Sequence, residues 1–493
     1  MSNPTVRPVQ TVAVIGAGPV GLAAAAHLVE RGLTPIVFEA GAGPADAIRQ
    51  WGHVRLFSPW RFDIDAAARR LLEAQGWVGP DPDGLPTGNE LIDAYLAPLA
   101  KSPEIAPHLR YGTRVVALSR LGVDKTRTIG REGRPYLVRT HSVEGEWADV
   151  IVDAVIDASG TWGQRNPLGA HGLTAPGEDP AAAWAAGPLP DVLGDRDRFA
   201  GKRTLVVGMG HSAANTLLNL AKLAEAEPGT AVTWAIRGDS PVRLYGGGSA
   251  DALPARGTIG TRLRDLVASG AIELVTGFAI DRFESHADGS VAVVGNVNGA
   301  ERLIEADQVA AATGFRPDLE MLREIRLDLD TTVEAPAKLA PLIDPNFHSC
   351  GTVPAHGEAD LAQPDEGFYL AGMKSYGRAP TFLLATGYEQ VRSIAAALAG
   401  DREAADKVEL ELPETGVCSS SRALEATSIA EASEAGCCGS SPDAGASCGT
   451  TETGGGCGTA APVTIGARGL ATGVPHGHSG ERLELKPRGG CCG

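Results

Sequence analysis

Three groups of residues in this 493-residue chain have types and spacings suited to chemistry. The first is Gly16-Ala-Gly18-Pro-Val-Gly21, with Glu39 following 23 residues after Gly16. At this spacing the first glycine makes a tight turn, the second lets the backbone approach a pyrophosphate, and the third lets helix and strand pack. The helix N-terminus then stabilises the anion, and the Glu39 carboxylate accepts hydrogen bonds from a ribose diol. The second group is Gly208-Met-Gly210-His-Ser-Ala213, which starts 192 residues after the first. Here the following strand ends in Arg237, and a guanidinium binds a 2′-phosphate that a carboxylate would repel, which favours NADPH over NADH. The third group is thiols. Cys418, Cys437, Cys438, Cys448, Cys457, Cys491 and Cys492 all fall in the last 76 residues, leaving Cys350 alone before them. The vicinal pairs Cys437-Cys438 and Cys491-Cys492 are candidate ligands for soft ions such as As(III), Hg(II), Cu(I) or Zn(II). Cys350, flanked by His348 and His356, is a candidate catalytic or metalloid-binding residue.

The elements that must position these groups are legible as patterns. Thr11-Val-Ala-Val-Ile15 reads as a buried strand feeding the first turn, and Leu22-Ala-Ala-Ala-Ala-His27-Leu28 as the close-packing helix after it. Pro35-Ile-Val-Phe38 is the next strand. Arg203-Thr-Leu-Val-Val, the helix from Leu217 to Leu223 and the strand Ala231–Ile236 repeat the arrangement at the second turn. Val150-Ile-Val-Asp-Ala-Val-Ile reads as one strand before Asp157-Ala-Ser-Gly160, and Gln308-Val-Ala-Ala precedes Ala312-Thr-Gly314. From Pro413 onward the chain is mostly Gly, Ser, Ala and Thr without an aromatic residue, so a flexible, disordered tail over 413–493 is expected. Residues 400–412 read as a helix end and a short extended linker.

Composition narrows the partners. A net charge of −17 with a pI near 5.1 argues against nucleic acid, and no run approaches the roughly 20 apolar residues of a membrane span. Met1-Ser2-Asn3-Pro4 lacks a signal-peptide layout, so a cytoplasmic location is expected.

With two fingerprints joined by two small-residue turns, residues 11 to about 399 resemble a two-dinucleotide-binding-domain flavoprotein. Pro86-Thr-Gly-Asn-Glu90-Leu-Ile-Asp-Ala-Tyr95-Leu96 and Phe199-Ala-Gly-Lys202-Arg203 are similar to stretches of flavin-containing and Baeyer-Villiger monooxygenases. The aromatic and cationic stretches and the C-terminal cysteine pairs also resemble those of monooxygenase-like flavoproteins from actinobacterial arsenic-resistance clusters. The resemblance implies an α/β fold of two Rossmann-like domains. A discontinuous FAD-binding domain would span 1–165 and 305–400, with an NADPH-binding domain inserted at 195–304.

It further implies that Gly16, Gly18, Gly21, Glu39, Ser58, Ala158, Gly160, Gly372 and Gly387 hold FAD. Gly208, Gly210, Ala213, Arg237, Thr313 and Gly314 would hold NADPH. Two stretches, Trp51–Trp60 and Leu370–Phe382, would frame the flavin ring, making Trp51, Tyr376 and Arg378 candidate catalytic residues beside Cys350. The chain departs from the monooxygenase pattern at Trp184-Ala-Ala-Gly187-Pro-Leu-Pro-Asp191, where the expected histidine is missing. The reductase Gly-Asp is replaced by Gly372-Met373, and no CxxC pair stands before the tail.

The expectation is an NADPH-dependent FAD oxidoreductase of monooxygenase type, using O2 on a small molecule. An arsenical or other soft-element compound collected by the tail would be its substrate. A flavin-dependent metal or metalloid reductase without oxygen transfer, and a non-enzymatic redox or metal-responsive flavoprotein, stand as alternatives.

Overall fold

A computed structural model describes residues 9–245, 254–344, 353–379 and 382–410, all within one unit, Met1–Glu434. In chain order the strands are β1 (Thr11–Ile15), β2 (Thr34–Phe38), β3 (Leu109–Arg110), β4 (Thr113–Arg120), β5 (Tyr136–Ser142), β6 (Trp147–Val152) and β7 (Ala154–Asp157). They continue with β8 (Ala185–Gly187), β9 (Arg203–Val207), β10 (Ala231–Ala235), β11 (Glu273–Val275), β12 (Ala279–Ser285), β13 (Val291–Val297), β14 (Ala300–Ala306), β15 (Gln308–Ala311) and β16 (Phe368–Leu370).

The first sheet runs β16-β7-β1-β2-β3 and the second β11-β10-β9-β15-β8, with every pairing parallel. Parallel neighbours need crossover connections, and helices α1 (Pro19–Glu30) and α2 (His211–Ala226) supply the first in each sheet. Pro19 starts α1 at a position where its missing N–H costs nothing. Ala23, Ala24, Ala25 and Ala26 are all fully buried, and these small side chains let α1 pack against α3 (Leu384–Leu398). Antiparallel sheets β4-β5-β6 and β12-β13-β14 complete the two halves. Chain order therefore inserts the second parallel sheet between β7 and β16 of the first.

The observed elements differ from the sequence reading at several points. β8 and β15 lie outside the 195–304 stretch assigned to the second half, yet both pair within its sheet, β15 directly with β9. The stretch Val150–Ile156 is two strands in two sheets, because the Asp153 carboxylate turns aside to accept the backbone N–H groups of Gln10 and Thr11 at 2.9 Å each. Residues Arg402–Asp406, within the stretch read as a helix end, form a separate short helix N-capped by Asp401. The monooxygenase-like motif at 86–96 is largely a helix start. Thr87 and Glu90 form a capping box that leads into a π-helical turn, Ile92–Leu96. The tail at 413–493, with Cys437, Cys438, Cys491 and Cys492, lies outside the described residues, as do Cys350 and His348.

One fully buried ion pair ties β7 to the segment after β16. Lys374 Nζ stands 2.6 Å from Asp157 Oδ2 and 3.0 Å from Ser159 Oγ, and both charged side chains are inaccessible to solvent. Removing one member leaves a buried charge uncompensated, which costs more than the pair contributes. Lys374→Met is expected to lower unfolding free energy by about 3–5 kcal/mol in urea titrations, with Lys374→Met/Asp157→Leu recovering most of the loss.

Candidate functional site

The first glycine turn forms where β1 ends. Gly16 has φ +95°, a conformation L side chains rarely adopt, and its N–H donates to the Phe38 carbonyl at 2.7 Å. A Cβ there would stand 2.9 Å from both the Ala158 carbonyl oxygen and Ser159 Cα. At Gly21 a Cβ would collide with the Gly16 carbonyl, so the helix can start only if this residue is bare. Around Gly18, by contrast, no atom stands within 4 Å of where a Cβ would be, which leaves room for a phosphate to approach the backbone. Glu39 accepts from Ala17 N and Gly41 N at 2.8 Å each, one through each carboxylate oxygen. Each oxygen keeps a lone-pair direction for a ribose hydroxyl.

The second turn repeats these features. Gly208 has φ +128°, and a Cβ on it would strike the Ala312 carbonyl. Open space surrounds Gly210, and Ala213 is fully buried in the third glycine's place. Trp234 Nε1 anchors the turn by donating to the Gly208 carbonyl at 2.7 Å. Arg237 is exposed just past β10 and spends one donor on the Ala170 carbonyl at 2.9 Å, leaving most of its guanidinium fork open.

Several expected ligand residues prove to be internally committed. Ser58 Oγ donates to Asp63 Oδ1 at 2.7 Å, and Thr313 Oγ1 to the Asn166 carbonyl at 2.7 Å. Gly372 N donates to Gln390 Oε1 at 2.7 Å. Gly372 and Gly387 both face Val20 of α1, where a Cβ would stand 3.1 Å and 2.6 Å from its Cγ2. Close packing of α1 and α3 with the Gly372–Tyr376 turn thus accounts for both glycines. Ala158, Gly160, Thr313 and Gly314 belong to the two crossings between the sheets. These crossings bond to one another, Asn166 N donating to the Gly314 carbonyl at 3.0 Å and Asn166 Nδ2 to the Thr313 carbonyl at 3.1 Å.

The candidate catalytic residues divide. Tyr376 is buried against His356 and Phe382, and burial pushes its phenol well above the ordinary range, so it stays neutral. Arg378 is exposed. Trp51 is half-buried and faces Trp162 with ring centres 6.4 Å apart. His356 is buried and held neutral by desolvation, its Nε2 bonded to Gln390 at 2.8 Å. The described residues contain no cluster of three or more His, Cys, Asp or Glu able to hold a metal.

Trp162 and Asp63 went unread in the sequence, and His211 stood there only as part of the second glycine turn. Trp162, just after the first crossing turn, meets Phe315 of the returning crossing at 4.9 Å and donates Nε1 to Gln50 at 2.8 Å. His211 begins α2 at the second turn and lies 5.0 Å, ring to ring, from Phe57 in the loop of the first half. Asp63 is fully buried, and burial raises its carboxyl to about 7, against the opposing hydrogen bond from Ser58. An Asp-Ile-Asp following the apolar Phe57-Ser-Pro-Trp60 stretch was the available signal.

Two parallel sheets, each ending in an open glycine turn and one inserted into the other, define a two-dinucleotide-fold oxidoreductase. Residues 10–336 match the pyridine nucleotide-disulphide oxidoreductase family, and the chain belongs to it. The family is broader than the monooxygenase branch expected from the motifs. Among solved structures, the chain resembles a bacillithiol disulfide reductase from Bacillus cereus at 21% identity and TM-score 0.59, covering 79% of this chain and 99% of that one. It resembles the cadaverine monooxygenase of desferrioxamine biosynthesis from Erwinia amylovora, bound to FAD, at 14% and 0.55, covering 83% and 100%. A flavin-containing monooxygenase from Stenotrophomonas maltophilia matches at 23% and 0.50, covering 79% and 99%. At these identities the likeness concerns the fold. No curated protein matches the chain.

Family membership implies FAD and NAD(P)H as cofactors, and the open space at Gly18 and Gly210 fits two dinucleotides. Among the described residues no helix is long and apolar enough to cross a membrane.

The Asp63 carboxyl holds its proton more tightly folded than unfolded, so its contribution to stability is full at low pH. That contribution falls as pH rises from the ordinary carboxylate range of 3.8 through about 7. Asp63→Asn is expected to gain about 2–3 kcal/mol on the parent between pH 5 and pH 8, measured by denaturant unfolding across that range. A constant difference would contradict the burial argument.

Proposed function

We propose that the chain is an NADPH-dependent FAD oxidoreductase of monooxygenase type. In this reading Gly16, Gly18, Gly21 and Glu39 hold FAD, and Gly208, Gly210, Ala213 and Arg237 hold NADPH. The observation that carries it is the pair of open turns at the carboxyl ends of two parallel sheets, joined by the Phe57–His211 contact. Open α/β sheets bind ligands at such ends. When bound, FAD supplies hydride acceptance and oxygen chemistry, while the protein positions the reactants and excludes water.

The chain's residues divide that work. The two turns and their helix N-termini bind the diphosphates, and Glu39 orients the FAD ribose. Arg237 selects the 2′-phosphate through its open donors. Trp51, Trp162 and Phe315 form a half-buried row of aromatic rings from the first half to the returning crossing.

Oxygen use is favoured over a dithiol relay because Cys350 is the one cysteine before residue 418, so no thiol pair stands within that stretch. Two of the similar structures named above are monooxygenases. A reductase that delivers electrons to a tail-bound ion, and an arsenical as substrate, rest on the tail cysteines alone. Arsenite- or methylarsenite-stimulated aerobic NADPH oxidation tests the arsenical, and anaerobic turnover lost on deleting residues 413–493 would identify the reductase.

Purified protein is expected to carry a yellow flavin spectrum that bleaches on anaerobic NADPH titration. A colourless protein that takes up neither added FAD nor NADPH would overturn the assignment. Arg237→Ala is expected to reduce kcat/KM for NADPH by about 1–3 kcal/mol, roughly 5- to 150-fold, with little change for NADH. Equal losses with both donors would remove the phosphate role.

A further inference from the structure

Asp63 ends a one-turn helix, Trp60–Asp63, in the loop that also carries Phe57 and Ser58. Phe57 reaches the helix N-terminus of the second turn through His211, and Tyr388 Oη of α3 donates to the Asp63 carbonyl at 2.8 Å. The loop is therefore held between α3 of the first half and α2 of the second, beside the junction where two bound dinucleotides would meet. The Asp63 side chain is completely buried. Oδ1 accepts from Ser58 Oγ at 2.7 Å, whereas Oδ2 has no hydrogen-bond partner among the described residues. A buried polar oxygen without a partner costs free energy, and a protein retains one where a further group completes it.

Among the described residues, no cationic side chain counts among the influences on this carboxyl. Tyr388 and Tyr95, hydrogen-bonded to one another, are both pushed far above the ordinary phenol range by burial and remain neutral. Asp65 lies nearby, with its Oδ2 2.9 Å from His27 Nε2. Desolvation is the dominant influence on Asp63, and the Ser58 hydrogen bond opposes it.

We propose that Asp63 is the proton-holding residue of this site, a buried carboxylic acid oriented by Ser58 whose free oxygen exchanges a proton with the molecule bound between the two turns. This inference rests on the oxidoreductase reading. Oxygenation of a substrate consumes NADPH, O2 and one proton and yields oxygenated substrate, NADP+ and water. One proton must enter per turnover, and Asp63 stores it. On giving it up, the carboxylate is held by the Ser58 O–H, and uptake of one proton restores the acid. A carboxyl near neutrality suits both halves of that exchange, since donor and acceptor forms are then both accessible. Tyr376, pushed far above the ordinary phenol range by burial, does not release its proton near neutrality, and burial of His356 disfavours its proton-bearing form.

Infrared difference spectra of the FAD-bearing protein, reduced with dithionite minus oxidised, provide the test. The parent is expected to show a carboxylic C=O band that titrates away with a midpoint near pH 7 and is absent from Asp63→Asn. Ser58→Ala keeps the carboxyl but loses a hydrogen bond to its charged form, so the midpoint is expected to move upward. Difference spectra identical between parent and Asp63→Asn would overturn the role. If Asp63→Asn fails to fold, an unmoved midpoint in Ser58→Ala overturns it instead. A preparation that binds no FAD defeats the oxidoreductase reading itself, whereas a flavin-bearing protein without the Asp63 band defeats only this inference.

Discussion

Each nucleotide turn in this protein is backed by a carbonyl of the chain that crosses between the two sheets, Ala158 behind Gly16 and Ala312 behind Gly208. Backbone meets backbone there with no room for a side chain, so the turns hold their shape only while the crossings stay in place. The same crossings bond to each other through Asn166, Thr313 and Gly314, and Trp162 packs at a tilt against Phe315 across them. The shape of each binding turn and the placement of the two sheets therefore depend on one small set of residues. The buried Lys374–Asp157 pair secures the first crossing from the opposite direction, linking β7 to the segment after β16. A buried pair contributes little net stability by comparison with apolar packing, but it penalises any arrangement that separates its members. That penalty suits a junction where geometry matters more than total stability.

Charge is distributed between the two turns in a way the overall acidity conceals. A carboxylate, Glu39, stands at the end of β2, and a guanidinium, Arg237, stands just beyond the equivalent strand β10. Two copies of one local fold thereby carry opposite charges at equivalent strand ends. Between them, the loop from Trp51 to Asp63 is aromatic at its ends and carries one buried acid. Desolvation there does what a neighbouring charge does elsewhere, moving a carboxyl into the physiological range.

Membership of the pyridine nucleotide-disulphide oxidoreductase family leaves the terminal acceptor open, because the two-sheet frame delivers electrons without dictating their destination. Within residues 1–412 Cys350 stands alone, so that stretch holds no thiol pair. The chain resembles both a disulfide reductase and monooxygenases in fold, which shows a shared frame.

Local pattern alone determined the two glycine turns, β1, β2, β9 and β10, the helices that follow the turns, and the residues Glu39 and Arg237. Each depends on spacing within some 25 residues, where apolar runs and turn chemistry are decided by neighbours in sequence. Only the tertiary structure decided that Val150–Ile156 splits between two sheets, that β8 and β15 join the second sheet, and that Gly372 and Gly387 answer to Val20. It alone brought Phe57 to His211, Trp162 to Phe315 and Lys374 to Asp157, pairs separated by 154, 153 and 217 residues. Asp63 belongs with these. The aromatic stretch before it marks its place in the sequence, but its chemistry arises from the burial that packing by distant helices imposes.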